Sequence, residues 1–286
     1  MTHSLAIVFD SSGTLMHTYR VAKDVRTDEI LHDVVSLHLI RRSQALVAID
    51  APPDLLFNCP QDMGMQQFIN GNDVEINIGC ASDEITTDDV RSVLNHDSGG
   101  VRVSDLVEVV TAVREKCKDV HYIGTGFVID VPTGEVQYVV CSGGRLFDGA
   151  KSTIAELMDC AEIYIASGDS MRNLSGLARH LGIVPANVVP VATPAVKHRL
   201  VDDLKKVYDY VVMVGDEIND LRAIRAADLG VLTLQQCPDK MQKLCDSADI
   251  LIPDISKLPD VIREWCRTIR SRDHGIGQTP IRSKVI

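Results

Sequence analysis

The chain has 286 residues, with 29 Lys and Arg against 40 Asp and Glu, a formal charge of −11. Its 45% hydrophobic and 24% charged residues are those of a folded globular protein, which excludes a disordered chain, and the length suits one large domain or two ordinary ones. The acidic balance argues against nonspecific nucleic-acid binding, and it would also repel a small phosphorylated substrate unless a cation or a local lysine reverses the field.

The N-terminal residues lack a basic segment, and the apolar run Leu5–Phe9 stops at Asp10, too short for a signal peptide. No stretch of about 18 apolar residues occurs, so no membrane-spanning helix is expected and the expected location is cytoplasmic. Leu5–Phe9 itself reads as the central strand of a parallel sheet.

Residues 21–141 have an α+β pattern. Segments 45–49 and 74–78 read as strands, Thr86 opens a helix with capping chemistry, and Val103–Lys116 is a second, amphipathic helix. Segments 127–131 and 135–140, joined through Pro132 and Gly134, form a hairpin. Gly124 and Gly126 read as tight-turn glycines, and 61–68 as core or loop filling. His32 and His38 lie on a helix-like stretch, at a spacing that does not align them as metal ligands.

After Ser142, Gly143 and Gly144 the rhythm changes. Apolar runs at 163–166, 188–192, 211–214, 229–234 and 249–252 alternate with helical patterns. Near-continuous apolar strands suit a sheet covered on both faces, and their alternation with helices makes right-handed βαβ units. The expected fold is therefore α/β, a doubly wound parallel-sheet core at 1–20 and 142–266, interrupted by an α+β domain at 21–141. A flexible basic tail is expected at 267–286, carrying Arg267, Arg270, Arg272, Arg282 and Lys284, with Gly275, Gly277 and Pro280 breaking any helix. The eight cysteines are scattered without a Cys-x-x-Cys pair, so they read as reduced, mostly buried thiols.

Four clusters follow predicted strands, where open α/β sheets place their ligands. Asp10 leaves the first strand into a turn with Ser12 and Gly13. Ser167, Gly168 and Asp169 follow 163–166 and precede a helix, whose N-terminal amides attract anions. Lys197 starts another helix, and Asp216, Asn219 and Asp220 follow 211–214. Each cluster alone could be a turn or a surface feature. Together they supply a carboxylate nucleophile, an acid pair fit for magnesium, a hydroxyl-and-amide cradle and a neutralising lysine.

This set resembles the haloacid dehalogenase superfamily, and within it the phosphorylation domain of P-type ATPases. The ATPase pattern Asp-Lys-Thr-Gly-Thr-Leu appears as Asp10-Ser11-Ser12-Gly13-Thr14-Leu15, and its Thr-Gly-Asp as Ser167-Gly168-Asp169. Its Val-Gly-Asp-Gly-Ile-Asn-Asp appears as Val214 to Asp220, with Glu217 replacing a glycine and Lys197 standing at a matching distance upstream. The resemblance covers residues 1–20 and 142–262. The insertion at 21–141 carries no match, and it lies where the superfamily places its cap domain and P-type ATPases their nucleotide-binding domain.

The resemblance implies a phosphohydrolase acting on a small phosphorylated metabolite or a nucleotide. Asp10 would attack phosphorus in line to give an aspartyl-phosphate, which water then hydrolyses. Mg2+ would be held by Asp10, the Ser12 carbonyl, Asp216 and Asp220. Ser12, Gly13, Ser167, Gly168 and Asn219 would surround the phosphoryl oxygens, with Lys197 offsetting charge on phosphate and nucleophile. Ser12 is the main departure, because most phosphatases of the superfamily carry there a second Asp that serves as acid and base. A serine cannot supply that help, so slow hydrolysis or a good leaving group such as ADP is expected. An autophosphorylating regulatory protein is the alternative, and a non-catalytic binding module on the same fold is the third reading. The intact Asp10, Lys197, Asp216 and Asp220 argue against the last.

Overall fold

Five consecutive buried residues make the first strand, β1 (Leu5–Phe9), as a strand covered on both faces requires. In the computed structural model, which describes residues 4–81, 84–94, 100–117, 120–273 and 284–285, β1 is followed by β2 (Met16–Asp24). Then come β3 (Ile30–His32), a 3₁₀ turn at Ser36–Leu39, β4 (Gln44–Asp50), α1 (Pro53–Asn58), α2 (Met65–Gly71) and β5 (Glu75–Ala81). The helices α3 (Thr87–Val93) and α4 (Val103–Lys116) precede the long strands β6 (Tyr122–Asp130) and β7 (Glu135–Leu146).

An alternating series follows: α5 (Ala150–Met158), β8 (Glu162–Ala166), α6 (Met171–Leu181), β9 (Val188–Val189), α7 (Pro194–Leu204) and β10 (Tyr210–Gly215). It continues with α8 (Leu221–Ala226), β11 (Leu229–Thr233), α9 (Gln242–Cys245), β12 (Ile250–Ile252), α10 (Leu258–Asp273) and β13 (Lys284–Val285).

The chain divides into two units, one of Met1–His17 with Leu146–Ile286 and the other of Thr18–Arg145. These divisions fall a few residues outside the expected insertion at 21–141, within strands β2 and β7.

The first unit is built on a sheet of order β13-β12-β11-β10-β1-β8-β9. Its paired strands are parallel, with Phe9 opposite both Val214 and Ile165. On one face Val8, Val211 and Met213 of the sheet pack with Val201 of α7 and Ile224 of α8. The helix α6 buries Leu174, Leu177, Ala178 and Leu181, an i, i+3, i+4, i+7 stripe that turns its polar remainder outward.

The second unit has a six-stranded sheet of order β3-β2-β7-β6-β4-β5, with antiparallel neighbours at β2/β3, β4/β5, β4/β6 and β6/β7. Leu106, Val109, Val110 and Val113 of α4 join Phe68 of α2 in its core against Val47, Ile49 and Phe127. Thr86 caps α3 through a reciprocal pair with Asp89, each side chain taking the other's backbone N–H.

Several sequence expectations are corrected. Arg267, Arg270 and Arg272 belong to α10, which runs on to Asp273, because its apolar face continues past Trp265 to the buried Ile269, and Lys284 begins β13. The breakers Gly275, Gly277 and Pro280, and Arg282, lie outside the described residues. His32 is on β3 and His38 in the 3₁₀ turn, so no helix carries both. Gly124 and Gly126 lie inside β6, not in a turn. Segment 61–68, by contrast, is core and loop filling as expected: it leads into α2, whose Met65 and Phe68 are core residues. All eight cysteines are free thiols, but only Cys117 and Cys141 are buried. Among the described residues no helix is long and apolar enough to cross a membrane.

Candidate active site

The chain leaves β1 towards β8 on one side of the sheet and later places β10 on the other, so β1 marks a topological switch point. Ligands of open α/β sheets bind outside the carboxyl ends of strands at such a point. Asp10 is the first residue beyond β1, its backbone N–H bonded to the Val214 carbonyl at 2.9 Å. Its side chain is thereby fixed beside the end of β10, where Gly215 and Asp216 follow.

Three carboxylates meet here. Asp10, Asp216 and Asp220 are all buried, and each offers an oxygen within 4.8 Å of the others. Asp220 stands at the N-terminus of α8, where its Oδ2 accepts the backbone N–H groups of Asp216 at 3.2 Å and Glu217 at 3.3 Å. A Cβ on Gly215 would lie 2.6 Å from that same oxygen, so the strand end must be glycine for the turn to close. Gly13 is held at φ +82°, and a Cβ there would fall 2.3 Å from Asp216 Oδ2. Only a glycine lets the turn after Asp10 approach the second acid so closely.

Two lysines offset this charge. Lys197 is completely buried in α7, whose first turn is capped by Thr193. Its Nζ donates to Asp10 Oδ1 at 2.5 Å and to Asp220 Oδ1 at 2.7 Å. Burial lowers the Lys197 pKa, but Asp10 and Asp220 outweigh it and hold the ammonium above its ordinary range. Lys240, between β11 and α9, places its Nζ 3.0 Å from Asp216 Oδ2. Burial raises the Asp10 carboxyl well above the usual carboxylate range in spite of Lys197, with Asp220 and Asp216 adding to the rise. Burial likewise pushes Asp216 up to about 7, Lys240 opposing and Asp220 and Glu217 assisting. Such acids call for more positive charge than the lysines supply.

The remaining sequence-selected residues line the turns around this cluster. Ser12 lies in the turn between β1 and β2 and forms a bridge with Met16. Asn219 Oδ1, Asp216 Oδ1, Ser11 Oγ and Thr14 Oγ1 are buried without a hydrogen-bond partner. Orphaned buried oxygens are costly and point to a missing partner. Ser167 follows β8, and its hydroxyl donates to Asp169 Oδ2 at 2.7 Å while accepting the Asp169 N–H at 3.3 Å. Its hydroxyl proton is thus held within its own turn. Gly168 is exposed and faces open space, so no steric reason selects glycine there.

Sequence reasoning passed over Lys240 and Gln235. Both follow β11, so the same strand-end rule could have drawn attention to them. Gln235 ties the segment down, its Nε2 donating to the Thr14 carbonyl and its Oε1 accepting the Ile255 N–H at 3.0 Å.

Proteins of known type are similar to this chain. A soluble P-type ATPase-like phosphatase of Methanocaldococcus jannaschii is 29% identical over 265 residues, 91% of this chain and 93% of that protein. A copper-transporting P-type ATPase of Rhizobium leguminosarum is 30% identical over 132 residues, which are 45% of this chain but 15% of the transporter. Among solved structures, a zinc-transporting PIB-type ATPase aligns with 96% of this chain and 43% of its own, at 17% identity and a TM-score of 0.47. The model of the haloacid dehalogenase-like hydrolases matches residues 5–228. With its strand-end acids inside that matched span, the chain belongs to the haloacid dehalogenase-like hydrolase family.

Proposed function

We propose that this hydrolase is a Mg2+-dependent phosphohydrolase that works through an aspartyl-phosphate on Asp10, on a small phosphorylated metabolite or a nucleotide. The observation that carries the reading is the buried convergence of Asp10, Asp216 and Asp220 at the end of β1 and β10. The likeness to a phosphatase over 91% of the chain supports it.

The residues fit a magnesium ion. The donors are hard carboxylate oxygens, Asp216 Oδ1 is buried without a partner, and the acids are raised by burial and by one another. Asp10, Asp216 and Asp220, with the Ser12 carbonyl, would hold the ion. Bound there, it would screen the carboxylates and polarise a phosphoryl oxygen.

The chain's own groups would do the rest. Asp10 supplies the attacking oxygen, and Lys197 favours the ionised form of that carboxylate, against burial, and would meet charge on the transferring phosphoryl group. Ser167 and Gly168 sit ahead of α6, where Ser167 would turn its proton from Asp169 to the phosphoryl group. Asn219 Oδ1 and Ser11 Oγ are buried and unpartnered, and a ligand with its ordered water would satisfy them. Ser12 supplies no acid, so the phosphorylated Asp10 would persist longer than in enzymes with a carboxylate at that place.

Phosphate release from an aryl phosphate, abolished by chelator and by Asp10→Asn, is the expected result. Absence of turnover across a broad panel of phosphate esters and nucleotides would sink the proposal. Acid-stable, hydroxylamine-labile label from γ-labelled ATP would place the protein with the autophosphorylating alternative.

A further inference from the structure

The acid cluster contains a second ammonium group that neither the nucleophile nor its partner lysine requires. Lys240 has a side chain 5% exposed and an Nζ 3.0 Å from Asp216 Oδ2, on a carboxylate that is 1% exposed. Lys197 covers Asp10 and Asp220, so the two lysines divide the cluster between them. The other oxygen of Asp216 is buried and unpartnered.

We propose that Lys240 is a tethered cation that occupies Asp216 in the metal-free protein and is displaced when a divalent ion binds, so that it sets the metal affinity of the site. The inference rests on the metal-dependent reading of Asp10, Asp216 and Asp220.

Charge balance supports displacement. With all three carboxylates ionised, as holding a divalent ion requires, they and the two ammonium groups would leave one net negative charge. A divalent ion entering with Lys240 in place would reverse that sign in a buried site. Entering with Lys240 expelled, it would leave the site neutral, the cheaper arrangement where dielectric screening is weak.

The segment that carries Lys240 suits a swinging side chain. Gln235 fixes its base to the Thr14 carbonyl and the Ile255 N–H. Beyond that anchor Cys237, Pro238 and Asp239 are exposed, as is Met241 on the far side of Lys240. The lysine stem can therefore carry its ammonium from Asp216 to water without disturbing the strand. A ligand that binds only the molecules with Asp216 open binds more weakly by the fraction that is open.

The test is direct binding of Mn2+ to the full chain, read from the electron paramagnetic resonance signal of free Mn2+. Lys240→Gln should bind about 10- to 100-fold more tightly than the natural protein, the equivalent of one charge-assisted hydrogen bond. Lys240→Arg, which keeps the positive charge, should stay close to the natural protein. Unchanged or weaker binding by Lys240→Gln would overturn the proposal. If Asp216→Asn then still abolished binding, the metal site itself would stand. Absence of Mn2+ binding in the natural protein and every variant would overturn both readings together. A second measurement needs no variant: acetylation of Lys240 by acetic anhydride, resolved by peptide mass, should speed up at saturating Mn2+. An unchanged or slower rate would equally overturn the displacement.

Discussion

The ammonium of Lys197 lies 2.5 Å from Asp10 Oδ1, the lysine side chain wholly buried and the carboxylate 5% exposed. A pair so buried leaves an uncompensated charge when one partner is removed, at a cost of about 3–5 kcal/mol. Lys197→Met is therefore expected to lose about that much stability in urea denaturation, and Asp10→Asn added to it should recover part of the loss. Equal stability for the natural protein and Lys197→Met would show that the pair contributes nothing to the fold.

The turn after Asp10 allows no side chain at Gly13, both for its φ of +82° and for the 2.3 Å approach to Asp216 Oδ2. Gly13→Ala should cost about 1–3 kcal/mol of stability, the range for a backbone forced into an unsuited conformation. It should also weaken Mn2+ binding, since Asp216 must move aside. Calorimetric melting and metal titration check the two effects separately, and normal values in both would contradict the stated geometry.

Ser12 stands where a second carboxylate would assist leaving-group departure and water attack. Ser12→Asp should raise steady-state turnover, by as much as the roughly 10²–10⁴-fold that general acid–base catalysis supplies. The lifetime of labelled phosphoenzyme should fall in parallel in a quench experiment. Turnover that does not change would refute this account of Ser12.

Lys23 in β2 is a buried cation of the second unit, with Nζ 2.6 Å from Asp28, 2.8 Å from Asp105 and 2.6 Å from Glu108. Burial alone would lower its pKa, but hydrogen bonds to Asp105, Asp28 and Glu108 outweigh that and raise it. A raised value in the folded state means that the contribution is complete below the ordinary lysine pKa of about 10.4 and is lost as pH climbs through the folded-state value. Urea midpoints measured from pH 9 upward should thus fall more steeply for the natural protein than for Lys23→Met. Parallel curves would show that the lysine is not stabilised by its three acids.

The sheet of the first unit was legible because its strands are covered on both faces and so read as unbroken apolar runs, as in β1 and β10. Once those runs were placed, the strand-end rule brought Asp10, Asp216 and Asp220 to one end of the sheet. What stayed hidden depends on contacts between distant segments. Lys240 reaches Asp216 from a segment whose Gln235 is held by Thr14 and Ile255, and no local pattern records that anchor. The bond from the Ser167 hydroxyl to Asp169 depends on the shape of a short turn, which no sequence pattern records. The continuation of α10 through Arg267 and Arg270 was obscured by their charge, since a helix with one packed face can carry any residue on the other.

The middle position of β1 has a consequence for biosynthesis. It pairs with β8 and β10, so the strand that precedes Asp10 completes neither ladder until those segments exist. At about 5–20 residues per second, β1 waits ~10–40 s on the ribosome for β10 to be made. Residues Thr18–Arg145, with their own core, are finished well before that. The order of translation makes the second unit the earlier folder and leaves Leu5–Phe9 a solvent-facing apolar strand, a natural target for chaperones, until its neighbours arrive.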